Sequence, residues 1–246
     1  MKGVILAGGL GTRLRPLTKI TNKHLLPVYD RPMIFYPIQT LVDAGMREIV
    51  IVTGGNNAGD FLRLIGNGSD FGLKHIHYTY QEGEGGIAAA LSLVEPYVHG
   101  EKIVVMLGDN IIEGSIRNGV AAFRKQRSGA MVYLAEVDNP SCYGVPVFRN
   151  GRIVKVEEKP RRPKSNYAVI GVYLYDSSVF DIIRKLKPSK RGELEISDVN
   201  NAYIRRRRLT YRLLDGMWLD AGESHDALLR ANCRVAKHRK IQVPDL

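Results

Sequence analysis

At 246 residues, 44% hydrophobic and 25% charged, the chain can bury a full core without disulfide or metal staples. Its two cysteines, Cys142 and Cys233, show no C-x-x-C spacing and no adjoining histidine cluster, which excludes a zinc site or a disulfide framework and fits a reducing, cytoplasmic setting. The formal net charge of +11 suits a polyanionic partner, but the basic clusters at Arg205–Arg208, Lys159–Lys164 and Lys237–Lys240 are separate and lack interleaved aromatics. Nucleic acid is therefore not expected as the primary partner, and the short apolar run behind Lys2 excludes a signal peptide or a membrane span.

In chain order, the apolar runs Gly3–Leu6, Glu48–Thr53, His75–Tyr80 and Lys102–Leu107 predict strands. Helices are expected between them: residues 33–44 ending at Gly45, with Pro37 in the first turn or at a kink, 58–65 ending at Gly66, 85–94 and 115–127. This β-α-β-α alternation predicts an α/β fold, a Rossmann-like, mostly parallel sheet flanked by helices. Beyond Gly129 the pattern turns strand-rich at residues 130–137, 145–148, 152–157 and 167–175, and Asn150-Gly151 signals a hairpin. Helices at 179–186 and 194–206, a strand at 209–214 and a final helix at 223–238 close the chain. We expect a single domain over residues 1–246, with a first half over 1–128 and, over 129–240, an antiparallel extension plus closing helices.

The first strand runs into Ala7-Gly8-Gly9-Leu10-Gly11-Thr12-Arg13. Glycines at a strand end let backbone N–H groups approach a polyphosphate, and Arg13 and Lys23 can add charge that backbone dipoles lack. The spacing matches neither the dinucleotide fingerprint nor the P-loop, and a plain tight connection is the alternative. Asp109 ends the strand of residues 102–107, where open sheets place ligand-binding groups; it is a candidate metal ligand or else an N-cap or turn aspartate. Asp220 follows the apolar stretch Met217-Trp218-Leu219 and precedes the final helix, where it is a candidate ligand or that helix's N-cap. Two such carboxylates, if they meet, form a hard oxygen site suited to Mg²⁺.

Taken together, Gly8-Gly9-x-Gly-Thr-Arg, Lys23-x-Leu-Leu-Pro, Gly108-Asp109-Asn110, Glu157-Glu158-Lys159-Pro160, Lys164–Ala168, Arg191–Ile196 and Trp218-x-Asp220-x-Gly222 resemble, in that order, the motifs of sugar-1-phosphate nucleotidylyltransferases. The likeness runs from Met1 to about Ala236. It implies in-line attack of a sugar-1-phosphate on the α-phosphorus of a nucleoside triphosphate, with release of pyrophosphate. The expected substrates are dTTP, with UTP as the alternative, and glucose-1-phosphate; the expected cofactor is Mg²⁺.

By resemblance, Leu6, Gly8, Gly9, Gly11, Thr12, Arg13, Gln81, Gly86 and Asp109 bind the nucleotide, with Gln81 and Gly86 reading the base. Tyr143, Gly144, Glu158, Lys159, Val169, Tyr173 and Arg191 bind the sugar phosphate. Arg13, Lys23 and Lys159 are the expected catalytic cations, and Asp109 and Asp220 the metal ligands. Glu158-Lys159 as an exposed ion pair, and Tyr143 and Tyr173 as ordinary core aromatics, are the plainer alternatives. The resemblance also implies a homo-oligomer, commonly a tetramer. His24 stands where longer members carry glutamine, and the extra C-terminal helices of those members, with their regulatory nucleotide site, are not expected here.

Overall fold

A computed structural model describes residues 1–55 and 57–238. It begins with β1 (Lys2–Ala7), three single 3₁₀ turns and a small ribbon of β2 (Pro27–Val28) and β3 (Arg31–Pro32). Next come α1 (Phe35–Asp43), β4 (Glu48–Gly54), α2 (Ala58–Ile65), β5 (His75–Gln81), α3 (Ile87–Ser92), α4 (Glu95–Val98) and β6 (Ile103–Leu107). The second half holds β7 (Asn110–Gly114), α5 (Arg117–Lys125), β8 (Ala130–Glu136), β9 (Gly144–Arg149), β10 (Arg152–Glu158) and β11 (Tyr167–Tyr175). It ends with α6 (Ser178–Ile183), α7 (Ile196–Arg205), β12 (Leu209–Leu213), β13 (Gly216–Asp220) and α8 (His225–His238). Arg239 and Lys240 of the basic tail lie outside the described residues.

The main sheet has the order β10-β9-β11-β6-β1-β4-β5, with β8 and β12 branching from β11. Strands β6, β1, β4 and β5 pair in parallel, whereas β11 runs antiparallel to β6 and β8, and β9 and β10 form an antiparallel hairpin. This is a parallel α/β core extended by antiparallel strands.

Because successive side chains alternate across a strand, β1 serves two cores. Val4 and Leu6 pack with α3, α6 and α7, while Ile5 and Ala7 pack with α1, α2 and α5. Burial on both faces explains why β1, β4 and β6 read as unbroken apolar runs. The hairpin joining β9 to β10 turns at Asn150 (φ 49°) and Gly151 (φ 70°), the backbone pair a tight hairpin requires.

Three expected helices start later or break. The helix expected at 85–94 shortens to α3, ending at Ser92, and a separate α4 follows from Glu95 with Pro96 in its first turn. Met33 and Ile34 give their N–H groups to Leu26 O and His24 O, so α1 begins at Phe35, with Pro37 inside its first turn. Leu194 N bonds Gly85 O, which delays α7 to Ile196. No helix among the described residues is long and apolar enough to cross a membrane.

Candidate active site

The loop after β1 borders a cavity of about 460 Å³ together with the ends of β5 and β6. A Cβ at Gly8 would stand 2.5 Å from Gln81 Oε1 and 3.3 Å from Gln81 Cβ, so the loop lies closely against Gln81 and a larger residue there would displace that side chain. The residues expected to bind nucleotide, Leu6, Gly8, Gly9, Gly11, Thr12, Arg13, Gln81, Gly86 and Asp109, all line this cavity with Lys23. Arg13 projects from the 3₁₀ turn Thr12–Leu14, which fully buried Leu14 anchors.

At its floor, Lys23 Nζ sits 2.5 Å from Asp109 Oδ2, and Asn110 Nδ2 donates to Asp109 Oδ1 at 3.1 Å. Burial alone would raise the Asp109 pKa, but the Lys23 ammonium and these hydrogen bonds hold it well below the usual carboxylate range. Burial likewise pulls against the Lys23 charge, and Asp109 reverses the effect, so the Lys23 pKa is raised.

Strands β7 and β13 form an antiparallel ribbon that pairs Asp220 with Asn110 and joins Ala221 N to Asp109 O at 3.0 Å. The two aspartates, over a hundred residues apart in sequence, thus end at one place. Burial and the Asp109 charge push the Asp220 pKa up to about 7. A Cβ at Gly222 would come within 2.9 Å of Lys23 Nζ, so this approach depends on glycine.

The alternative of Asp220 as N-cap of the last helix is overturned. That helix starts at His225, Ser224 Oγ accepts from Ala227 N at 3.1 Å, and Asp220 Oδ1 instead accepts from Gly222 N at 3.1 Å. Asp109 caps no helix either; it stands in the turn between β6 and β7.

Buried Asp109 and half-buried Asp220 come together beside one lysine, and their hard oxygens fit Mg²⁺. Among the described residues no group of three or more His, Cys, Asp or Glu side chains could hold a metal. An ion at this pair would take its remaining oxygens from water and substrate.

His24 lies beneath the site, 2% exposed, with Nδ1 2.7 Å from Asn22 Oδ1. Burial, followed by the Lys23 charge, lowers its pKa from 6.5 to about 3. The unfolded chain therefore takes up this proton first. The stabilising contribution is fully present above pH 6.5 and falls by at most about 1.4 kcal/mol per pH unit as pH drops toward 3. His24→Gln should flatten the pH dependence of urea-unfolding free energy between pH 7 and 5; a slope equal to that of wild type would contradict this.

A second cavity, of about 150 Å³, opens on the antiparallel side. Tyr143, Gly144, Glu158, Lys159, Val169, Tyr173 and Arg191, the residues expected at the sugar phosphate, all line it, as does Asp220. Tyr173 is at once a core aromatic and a cavity wall, stacked on Tyr175 at 6.0 Å between ring centroids. Burial raises its pKa, as it does that of Tyr143, where the Asp220 charge and a hydrogen bond to Glu223 add to the shift. Glu158 and Lys159 do not form an exposed ion pair. Glu158 faces Ser197 and Arg191, and Lys159 takes φ 42° with its N–H bonded to Tyr143 O at 3.0 Å.

Asn110, Trp218, Glu223, Ser197 and Asn200 are among the cavity residues that carried no role in the sequence reading. Asn110 Oδ1 accepts from Gly171 N at 2.9 Å and from Trp218 Nε1 at 2.6 Å, tying three strands together at the site. Glu223 accepts from the Tyr143 hydroxyl at 2.8 Å. Ser197 and Asn200 reach the cavity from α7. Asn110 and Trp218 sat inside recognised motifs, but the others stand at a helix start or on a helix face and carried no local signal.

The two cavities share Arg13, Lys159 and Arg191 along their common border. A glycine-lined lobe and a smaller polar lobe thus meet at a border that carries these three cations with Glu193, Ile87 and Leu107. The chain belongs to the nucleotidyl transferase family, whose model matches residues 2–238.

Its relatives narrow the class. It is 46% identical, over 93% of its own length and 76% of the relative's, to the glucose-1-phosphate thymidylyltransferase of Actinoplanes sp.. A Bacillus anthracis structure in complex with sucrose, provisionally assigned as a glucose-1-phosphate thymidylyltransferase, shares 49% identity and a TM-score of 0.91, covering 100% of this chain and 98% of that one. A UDP-glucose pyrophosphorylase complexed with UDP-glucose is more distant, at 27% identity and a TM-score of 0.84 over 97% and 99% of the two chains.

Proposed function

We propose that this protein transfers a thymidylyl group from dTTP to glucose-1-phosphate, giving dTDP-glucose and pyrophosphate. The observation that carries the reading is the border shared by the two cavities, where Arg13, Lys159 and Arg191 converge. The names of the relatives supply the substrates.

A phosphate monoester has its second pKa near about 6, so the sugar phosphate is already largely dianionic at neutral pH and needs no general base. The obstacle is the approach of two polyanions. In this reading the loop at Gly8–Gly11 holds the triphosphate, Arg13 and Lys23 lie against its reacting phosphates, and Gln81 and Gly86 meet the base. Lys159 and Arg191 hold the attacking phosphate, and Glu158 accepts from sugar hydroxyls. These cations offset repulsion and align the attack, which by positioning alone lowers the barrier by several kcal/mol. Asp109 and Asp220 are the proposed Mg²⁺ ligands; the ion, when bound, neutralises charge on the phosphates. The same reading carries a cytoplasmic homo-oligomer, a tetramer by family expectation.

Pyrophosphate release with Mg²⁺ and dTTP or UTP, with and without glucose-1-phosphate, tests the proposal. Release should require the sugar phosphate, with dTTP favoured by about 10–200-fold in kcat/KM if the pocket recognises the extra methyl. A preference for UTP would make the protein a uridylyltransferase, and release without sugar phosphate would overturn nucleotidyl transfer to it. Lys159→Ala should raise KM for glucose-1-phosphate about 10–100-fold, the worth of one charge-assisted hydrogen bond, and leave KM for dTTP nearly unchanged. Equal losses for both substrates would contradict its placement.

A further inference from the structure

We propose that the edge of the main sheet opposite the cleft is a docking surface for an anionic lipid bilayer, with Arg205–Arg208 at its most basic end. Strands β1, β4, β5 and β6 run parallel, and β8 and β12 share their direction because β11 is antiparallel to both β6 and β8. All six therefore start at one edge. The cleft lies at the other, where Leu6 and Leu107 line it near the ends of β1 and β6.

At the starting edge a cation stands at the entry to each strand. Lys2 opens β1, and Arg47, Lys74, Lys102 and Arg208 directly precede β4, β5, β6 and β12. Arg127 lies in the turn into β8. Single cations so far apart in sequence form no motif until the sheet assembles them. Neighbouring strands are about 4.8 Å apart, so the order β12-β8-β11-β6-β1-β4-β5 spreads these charges over about 30 Å.

Their density is greatest around β8 and β12. Ala130 N, at the start of β8, bonds Arg208 O at 2.8 Å, which seats the exposed run Arg205–Arg208 beside exposed Arg124, Lys125 and Arg127 at the end of α5. Among the described residues none of these cations forms an ion pair. The acids nearby are occupied or lie farther along the edge. Lys2 pairs with Glu48 at 3.1 Å, the amino terminus pairs with Glu101, and Asp176 accepts from Gly129 N, Ser178 and Tyr203. Exposed Asp43 and Asp70 precede β4 and β5.

A cation in the last turn of a helix complements the helix dipole, which accounts for Arg124, Lys125 and Arg205. It does not account for Arg127 or for Arg206–Arg208, which lie past the helix ends. The first residues of α7, Ile196 and Ser197, line the smaller cavity, and a rise of 1.5 Å per residue carries Arg205 about 14 Å away from them. Guanidinium groups take phosphate oxygens in pairs. A planar array of lipid phosphates fits a broad edge built from strand starts and helix ends, whereas groove binding uses a helix or ribbon laid lengthwise. Single strands need aromatic platforms, and the exposed tyrosines, Tyr29 and Tyr80, lie between β2 and β3 and near the end of β5.

The test is co-sedimentation of the full chain with vesicles of phosphatidylcholine alone and of phosphatidylcholine mixed with phosphatidylglycerol. Binding should need the anionic lipid and fall as NaCl is raised, because the attraction acts within a Debye length of the surface. Each cation removed should weaken binding about fivefold, so changing Arg205, Arg206, Arg207 and Arg208 together to Gln should lose about 10²–10³-fold. Lys125→Gln with Arg127→Gln, on a separate turn, should lose about 30-fold and keeps the test decisive where the fourfold variant is less stable. Both should retain wild-type pyrophosphate release. Arg161→Gln with Arg162→Gln, exposed cations that follow Lys159, should bind vesicles as wild type does.

No binding to anionic vesicles at low salt, or equal losses in all three variants, would overturn the proposal while leaving the function intact. Tighter binding to duplex DNA or to RNA at equal phosphate concentration would overturn it in favour of nucleic acid.

Discussion

Asp109→Asn should lower Mg²⁺-dependent turnover by about 10²–10³-fold, the scale of removing one preorganised charged contact at a reacting phosphate. Its effect on stability depends on Asp220. Breaking a buried ion pair from one side ordinarily costs about 3–5 kcal/mol, because the remaining charge is stranded. Here the stranded group would be Lys23, whose ammonium is 2.5 Å from Asp109.

Asp220 is held up to about 7 by burial and by the Asp109 charge itself. Once that charge is gone, Asp220 ionises more readily and takes over the pairing with Lys23. The loss in unfolding free energy should therefore fall well short of the usual figure. Asp220→Asn should be equally inactive yet differ in stability. A carboxyl whose folded pKa lies above its unfolded one destabilises the fold as pH rises through that interval. Removing it should leave metal-free protein at pH 8 as stable as wild type or more so. Pyrophosphate release and urea titration of both variants check this pair of outcomes. Retained Mg²⁺-dependent turnover in Asp109→Asn would remove that residue from the metal site.

Arg13→Ala should lower kcat by about 10²–10³-fold with little change in Tm. Arg13 is exposed on its short turn, and that turn is held by buried Leu14 and by the Thr18 hydroxyl bonded to Gly11 O at 2.8 Å, not by the guanidinium. In the proposed reaction Arg13, which lines both cavities, meets both reacting phosphates, so the loss should appear in kcat more than in either KM. Arg13→Lys should recover part of the rate, since an ammonium restores charge without the planar two-pronged contact. Normal kcat in Arg13→Ala, or a Tm loss that accounts for the drop, would contradict this placement.

Where local chemistry decides structure, the sequence was a sufficient guide. Ala58–Ile65 stops at Gly66 and Tyr167–Tyr175 spans its expected length. Asn150-Gly151 turns the hairpin because both residues accept positive φ. Where tertiary partners decide, it was not. Asp220 has the wording of a helix cap, and only its pairing across β7 and β13 shows it beside Asp109. That ribbon is two short strands whose partners are separated by a hundred residues, a pairing that no local periodicity reports.

The site follows the same division. Motifs in register named the groups on both cavities, because the glycines and cations proposed to face phosphate each sit within a short contiguous motif. Ser197, Asn200 and Glu223 were missed because a polar residue on a helix face has the same pattern whether it faces water or a cavity. Deciding between these needs the packing of α7 against β10.

The contact of Gly8 with Gln81 joins the phosphate loop and the proposed base reader into one packed unit, whereas Glu158, Ser197 and Tyr173 stand on other strands and helices. Reshaping one lobe of such a cleft carries different penalties from reshaping the other. In the proposed reaction, side chains exchanged at Gln81 to accept a new base press directly on the loop proposed to seat the triphosphate, so altered base choice and slower chemistry arrive together. Exchanges on the sugar wall leave that loop untouched. A change of base therefore demands compensating changes in that loop, and a change of sugar does not.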